Sequence, residues 1–289
     1  MNLTLPGMPA HGHIDKDGFR LRGTELARID AFSDVVFGFA LTLLVVSLEV
    51  PKTFAELHES LRQFVPFAIC FYFFMVVWVE HYRFFRRFGT HDNGTIAING
   101  VLLFVVLFYV YPLKFLFTVV AFGLLGYEGH FFETQSQVAE LMVLFGVAFS
   151  LIHILMAALY ANGYRQRRPL GLTPVEEVLT RGYILQAAVF AMVGVLACFL
   201  AKLVPPEMAG YTGWTYLGLW PVGRLLGWLR KRRIRKLERT TKDSSPSHSQ
   251  LVATVDEPQT ALSATRHPDT PNAAANLPAE PLSSIADKL

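Results

Sequence analysis

Arg28, Ser33 and Asp34 open an apolar stretch that runs almost unbroken to Glu49 and carries a threonine, Thr42, at mid-depth. Charges at or inside a bilayer are costly and usually mark a functional site or a partner on another helix. Arg28 and Asp34 are separated by about 9 Å along a helix axis. That is too far for a good pair on one helix, so each is expected to find its partner on a neighbour. Helical spacing groups Val35, Phe39, Thr42, Val46 and Glu49 on one stripe, at steps of four, three, four and three. Repeated around an axis, such a stripe would present a ring of phenyl groups that excludes water. About 4.5 Å away in depth it would present hydroxyls that replace part of an ion's hydration shell, and about 10 Å beyond them a carboxylate ring that concentrates cations. The residues alone leave a plainer alternative open. Phe39 would then face lipid or core, and Thr42 would bond its own helix's preceding carbonyl.

The elements that must position this stripe are membrane helices. Hydrophobic residues make up 52% of the chain and charged residues 17%, and the mean hydropathy is +0.36, too apolar for an ordinary soluble domain. Residues 1–27 carry Asp15, Lys16, Asp17, Arg20 and Arg22 and no apolar core, so no secretory signal is read there. Six spans are expected, at roughly 30–49, 63–84, 96–119, 139–162, 179–202 and 207–229, each long enough for about 30 Å of hydrocarbon. The sixth is the weakest, because it holds Pro221 and Arg224, and the second continues a helix that begins near Phe54. Arg83, Arg86 and Arg87 follow the second span, Arg165, Arg167 and Arg168 the fourth, and a run from Arg230 to Lys236 the sixth. The loop from about 120 to 138 has no lysine or arginine. By the positive-inside rule both termini are cytoplasmic.

Beyond about Thr240 the composition turns to Ser, Thr, Pro and Ala, which implies a disordered tail. The chain therefore divides into a cytoplasmic segment 1–27, a membrane domain 28–230, and a basic stop segment with its tail over 231–289. The basic run also fits a patch for anionic membrane lipid. Cys70 and Cys198 fall inside apolar segments and are read as packing residues.

Trp78, His81 and Asn99 lie at the cytoplasmic ends of the second and third spans, at the depth of Arg28 and Asp34. Arg28, three residues, then Phe32-Ser33-Asp34 resembles the signature of the transmembrane protein 175 family, cation channels, mainly potassium-selective, of endolysosomes and bacteria. Trp78 and His81 match that family's Trp-x-x-His, Asn99 opens the third span, and Pro112 falls near its end. The resemblance covers about residues 28 to 230.

The resemblance implies an all-α membrane protein of six helices, the first lining a pore on the axis of an oligomer. Carried over, Phe39 is the hydrophobic constriction and Thr42 the hydroxyl layer, flanked by Val35, Val46 and Glu49. Arg28, Ser33, Asp34, Trp78, His81 and Asn99 brace the pore helix from behind. Two positions depart from the family pattern. Phe39 stands where isoleucine or leucine is common, and Val35 replaces a small residue. The signature occurs once, which implies a homotetramer.

The implied activity is passive conduction of potassium, with no enzymatic step and no cofactor or bound metal beyond the permeant ion. Its partners are other copies and membrane lipid, with no nucleic acid, in a bacterial cell membrane. Two other classes remain open on the residues. A proton-coupled transporter would use Asp34 or His153, and an intramembrane redox protein would hold haem between His81 and His153. A lone histidine within a span, as His153 is, is more often a hydrogen-bonded helix contact.

Overall fold

A computed structural model describes residues 14, 15, 17–23, 25, 27–46, 50–127 and 129–243. Glu49 and the tail beyond Asp243 lie outside these residues. Apart from one bridge pair, Ile14 with Arg20, the regular structure among the described residues is helical. The helices are α1 (Arg28–Val46), α2 (Phe54–Arg62), α3 (Phe64–Phe88), α4 (Asn93–Leu125), α5 (Ser136–Arg165), α6 (Pro174–Leu203) and α7 (Leu219–Asp243), with a 3₁₀ helix, Pro206–Gly218, before α7. Five of them, α1 and α3 to α6, are long and apolar enough to cross a membrane.

Local chemistry sets the boundaries. Thr53 caps α2, which is separated from α3 at Gln63 and is not continuous with it. α3 stops at Gly89, whose φ of 58° is a left-handed cap and whose N–H bonds the Phe85 carbonyl at 2.9 Å. A side chain there would also come within 2.9 Å of the Gly23 nitrogen, so close approach as well as backbone shape selects glycine. Asp92 caps α4 by accepting from the N–H groups of Gly94 and Thr95. α6 opens with Thr173, Pro174 and Glu176, a reciprocal capping box with proline in its first turn.

The sixth span differs from expectation. Residues 206–218 wind as a 3₁₀ helix, and α7 starts at Leu219. The Thr212 and Thr215 hydroxyls bond the carbonyls three residues back, each at 2.7 Å, which suits the three-residue turn. Gly210, Gly213 and Gly218 remove α-helical preference from the same stretch. The basic run from Arg230 to Lys236 lies within α7, which continues to Asp243.

α5 and α6 form the tightest pair. Gly146 and Gly194 face each other so closely that a Cβ on either would lie within about 3 Å of the other's carbonyl oxygen. The Ser150 hydroxyl bonds Gly146 in its own helix and lies 3.0 Å from the Ala191 carbonyl of α6. Small residues that let backbones approach are the usual device where lipid removes the hydrophobic drive for helix association. α4 packs on α5 and α3, and α1 packs on α3 and α4 alone among the described helices. α1 is therefore an edge helix with one side left open.

Asp92 also ties α4 to the end of α5, accepting from Asn162 at 3.1 and 3.2 Å and from Gln166 at 2.8 Å. Partial burial raises its pKa, but bonds from Thr95, Asn162 and Gln166 outweigh this and hold the carboxyl well below the usual carboxylate range. A depressed pKa stabilises the fold above the unfolded value and loses that contribution as pH falls through the folded one. Asp92→Ala should therefore lower stability by about 1 kcal/mol near pH 7. The gap to the parent should narrow only below about pH 4. Thermal melts of both proteins across that range in one detergent measure the difference.

Candidate functional site: the first helix and its polar brace

α1 has two faces. Ser33, Phe37, Ala40 and Leu44, at steps of four, three and four, are buried against α3 and α4, with Ser33, Ala40 and Leu44 at 0% exposure. Val35, Phe39, Thr42 and Val46 fall on the opposite face and are exposed, Phe39 at 62% and Val46 at 71%. The Thr42 hydroxyl donates to the Gly38 carbonyl at 2.9 Å, the back-bond of the plainer sequence alternative. Its oxygen keeps lone pairs for a further partner. Glu49, the outermost residue of the expected stripe, lies outside the described residues.

The buried face is held by a continuous chain of hydrogen bonds. The Ser33 hydroxyl donates to the Ile29 carbonyl at 2.7 Å and accepts from Asn99 Nδ2 at 2.9 Å. Asn99 Oδ1 lies 2.7 Å from His81 Nε2. A carbonyl oxygen only accepts, so Nε2 carries the imidazole proton. Ser33, His81 and Asn99 are each at most 2% exposed, so this chain joins α1, α3 and α4 entirely within the packed interior. The Phe37 and Phe85 rings pack on His81 at 5.4 and 4.7 Å between centroids. A second contact lies nearer the surface, where Trp78 Nε1 donates to Asp34 Oδ1 at 2.8 Å and the indole stacks on Tyr82.

Arg28 does not join the cluster. It is exposed and makes no hydrogen bond or ion pair with another described residue. Asp34 takes its partner from a neighbouring helix, the indole N–H of Trp78. Beside Asp34, a cavity of about 230 Å³ is lined by Glu25, Asp30, His81 and Arg86, all at the basic end of the bundle. His153 Nδ1 is 2.8 Å from the Phe149 carbonyl one turn back, and its ring packs on Phe149 and Phe190. It is a bonded helix contact.

Sequence reasoning missed how the chain before α1 docks. Glu176, fully buried, receives both ends of the Arg22 guanidinium at 2.8 and 3.2 Å and the Arg20 backbone N–H at 2.8 Å. Arg87, 2% exposed, pairs with Asp15 at 2.7 Å and Asp17 at 3.2 Å and lies over the rings of Phe19 and Tyr183. Phe19 is buried against Phe88, and the N–H groups of Arg22 and Gly23 both bond the Arg86 carbonyl. The segment leading into α1 is thus strapped to α3 and α6.

The model of a family described as the endosomal/lysosomal potassium channel TMEM175 matches residues 28–109. That region contains α1, the whole polar chain and the Trp78–Asp34 contact. A curated relative named "Potassium channel", from Marivirga tractuosa, is 34% identical over 233 residues, covering 76% of this chain and 93% of that protein. The chain belongs to the TMEM175 family. A potassium channel from Chamaesiphon minutus is also 34% identical, over 97 residues that cover 31% of this chain and 48% of the relative. A crystal structure of a variant of the potassium channel MtTMEM175, in complex with a Nanobody-MBP fusion protein, superimposes with a TM-score of 0.67 at 31% identity. It covers 76% of this chain and 99% of that one. The TMEM175 fold, all helical and multi-pass, therefore holds for this protein.

In the TMEM175 framework the brace makes an ordered prediction. Asn99→Ala strands the buried His81 N–H and removes a donor to Ser33, which should cost about 1–3 kcal/mol. Trp78→Phe, at the exposed contact, should cost about 0.5–1.5 kcal/mol. Arg28→Ala should change the stability of an isolated subunit by no more than about 0.5 kcal/mol. Denaturation midpoints in mild detergent rank the three. An Arg28→Ala loss equal to that of Asn99→Ala would mean that Arg28 has a partner in a neighbouring copy.

Proposed function

We propose that this protein is a passive potassium channel in which copies of α1 surround a shared axis. The observation that carries the proposal is the division of α1 into a locked face and an open one. The brace fixes the rotation of the helix so that Val35, Phe39, Thr42 and Val46 point away from their own subunit. One copy supplies one such stripe, so the conducting unit is an oligomer. A single signature per chain makes it a homotetramer, by the family pattern. The relatives named as potassium channels support potassium as the ion.

In the assembled pore Phe39 is the narrowest ring and holds the pathway dry at rest. Thr42 presents a hydroxyl layer one step outward. Its bond to Gly38 uses its proton and leaves its oxygen to face the ion. By sequence alone Glu49 continues the stripe to the outer mouth. Both termini are cytoplasmic, so the strap and the brace are at the inner end. Conduction down a gradient requires no covalent chemistry from the chain. The cell membrane of a bacterium is the proposed location.

Single-channel recording in planar bilayers with potassium on one side and sodium on the other tests these assignments. Phe39→Ala should raise conductance and weaken potassium preference, because the ring no longer forces dehydration. Thr42→Ala should lower potassium preference by about fivefold, the equivalent of about 1 kcal/mol of lost hydroxyl coordination, with less change in conductance. Phe37→Ala, on the buried face, should reduce stability by about 3 kcal/mol or more without altering selectivity in channels that still assemble. A parent protein that passes no ions, or Phe39 and Thr42 variants with parental currents, would contradict the assignment.

A further inference from the structure

A cavity of about 250 Å³ lies among α3, α4, α5 and α6. Its walls are apolar along most of their length, including Phe74, Leu113, Phe145, Phe149 and Phe190, with Leu219 of α7 at one edge. Glu80, Tyr160, Tyr183 and Gln186 line it toward the basic end, and Tyr109 and His153 line it nearer mid-span, where the Tyr109 hydroxyl and His153 Nδ1 are taken up by the Phe145 and Phe149 carbonyls. Tyr160 is 2% exposed, and its hydroxyl has no hydrogen-bond partner among the described residues. Its ring is fixed by stacking on Tyr183 at 5.2 Å and by an edge contact with Phe84 at 5.3 Å. A buried tyrosine hydroxyl normally finds a partner. This one lines a space large enough to supply it.

From this placement we infer that the cavity is a binding site for a medium-chain amphiphile with an uncharged hydroxyl head group. Size and shape set the body of the ligand. A dry cavity of about 150 Å³ takes up benzene, so this one accommodates a longer hydrocarbon chain. A single water at Tyr160 would satisfy the hydroxyl but leave the apolar remainder empty.

Charge sets the head group. Glu80 disfavours a carboxylate at the polar end. Its own charge is already matched by Arg83 at 2.7 Å, so a cationic head gains little there for its loss of water. A hydroxyl gives and accepts, as Tyr160 and Gln186 both can. Access is lateral. α3 and α6 nowhere approach closely along their backbones, which leaves a seam toward hydrocarbon.

The site also bears on the pore reading. Two of its walls, α3 and α4, also carry the brace, with His81 two turns along α3 from Phe74 and Asn99 two turns along α4 from Val106. An occupant packs beside the brace, along the same faces of α3 and α4, and firms its hold on α1. This second step rests on α1 being the pore helix, whereas binding does not.

The test is photolabelling of the full-length protein in lipid nanodiscs with a decanol analogue carrying a diazirine on its chain. Labelled residues are mapped by mass spectrometry, with 1-decanol, decane and decanoate as competitors. Saturable labelling of α3, α5 and α6 around Phe149 and Phe190 is expected, displaced by decanol far better than by decanoate. Tyr160→Phe, which keeps the ring and removes the hydroxyl, should weaken competition by decanol about fivefold and leave that by decane unchanged. Ala187→Leu, which fills the wall, should abolish labelling of the cavity.

Labelling confined to lipid-facing residues and equal in parent and variants would overturn the site, as would water alone at Tyr160 with no saturable labelling. Competition by decanoate equal to that by decanol would overturn the head-group assignment. If labelling behaves as expected while the protein passes no potassium, the site stands and the channel reading falls.

Discussion

The hydrogen-bond chain from Ser33 through Asn99 to His81 decides how α1 is turned. Inside a bilayer an unpaired polar group has no water to fall back on, so these three side chains must find one another. They come from three helices and are satisfied in only one rotation of α1. A shift of one residue turns the helix by about 100°. Such a shift would take Ser33 out of reach of Asn99 and carry Phe37, Ala40 and Leu44 off the packed surface together. The outward stripe is the complement of this choice. Its composition matters less to the subunit than the fact that the other face is committed.

Dispersion and hydrogen bonding act together at this seam. Ala40 and Leu44 continue the buried line above Ser33 with no residual exposure. The Phe37 ring rests on the same imidazole that Asn99 orients. Below, the strap at Glu176 and Arg87 limits where the chain can enter α1. Glu176 does two jobs there, closing the first turn of α6 and receiving Arg22 and the Arg20 backbone. A carboxylate that gathers several N–H donors tolerates burial that a lone one would not.

Much of this was legible in the sequence, and the misses share a cause. Spans one to five follow from apolar length, and the split of α1 into stripes follows from a period of 3.6. Both are one-dimensional properties. The meeting of Ser33, His81 and Asn99 was legible through the family signature, which encodes a three-helix contact in residue spacing. Asp34 finds its partner on a neighbouring helix, as its spacing from Arg28 implied, in the indole of Trp78, whereas Arg28 was placed in the brace by the signature and is exposed. The strap went unread because Arg20, Arg22 and Arg87 look like solvated positive-inside charges. Their partners, Glu176, Asp15 and Asp17, lie up to about 150 residues away along the chain. The one local sequence signal at Glu176 is the capping pattern Thr173-Pro174-x-Glu176, which went unread and says nothing of Arg20 or Arg22. The sixth span was read by hydropathy, which does not register that Gly210, Gly213 and the two threonine back-bonds favour a tighter turn.

The central claim is that the brace turns Val35, Phe39, Thr42 and Val46 toward the ion pathway. Single cysteines placed along 35–46, in a Cys70→Ser, Cys198→Ser background and probed with a thiol reagent during current recording, test it most directly. Block at positions 35, 39, 42 and 46, with none at the buried positions 37, 40 and 44, is the expected pattern. Uniform block, or block at the buried set alone, would show that α1 does not line the pathway in this rotation.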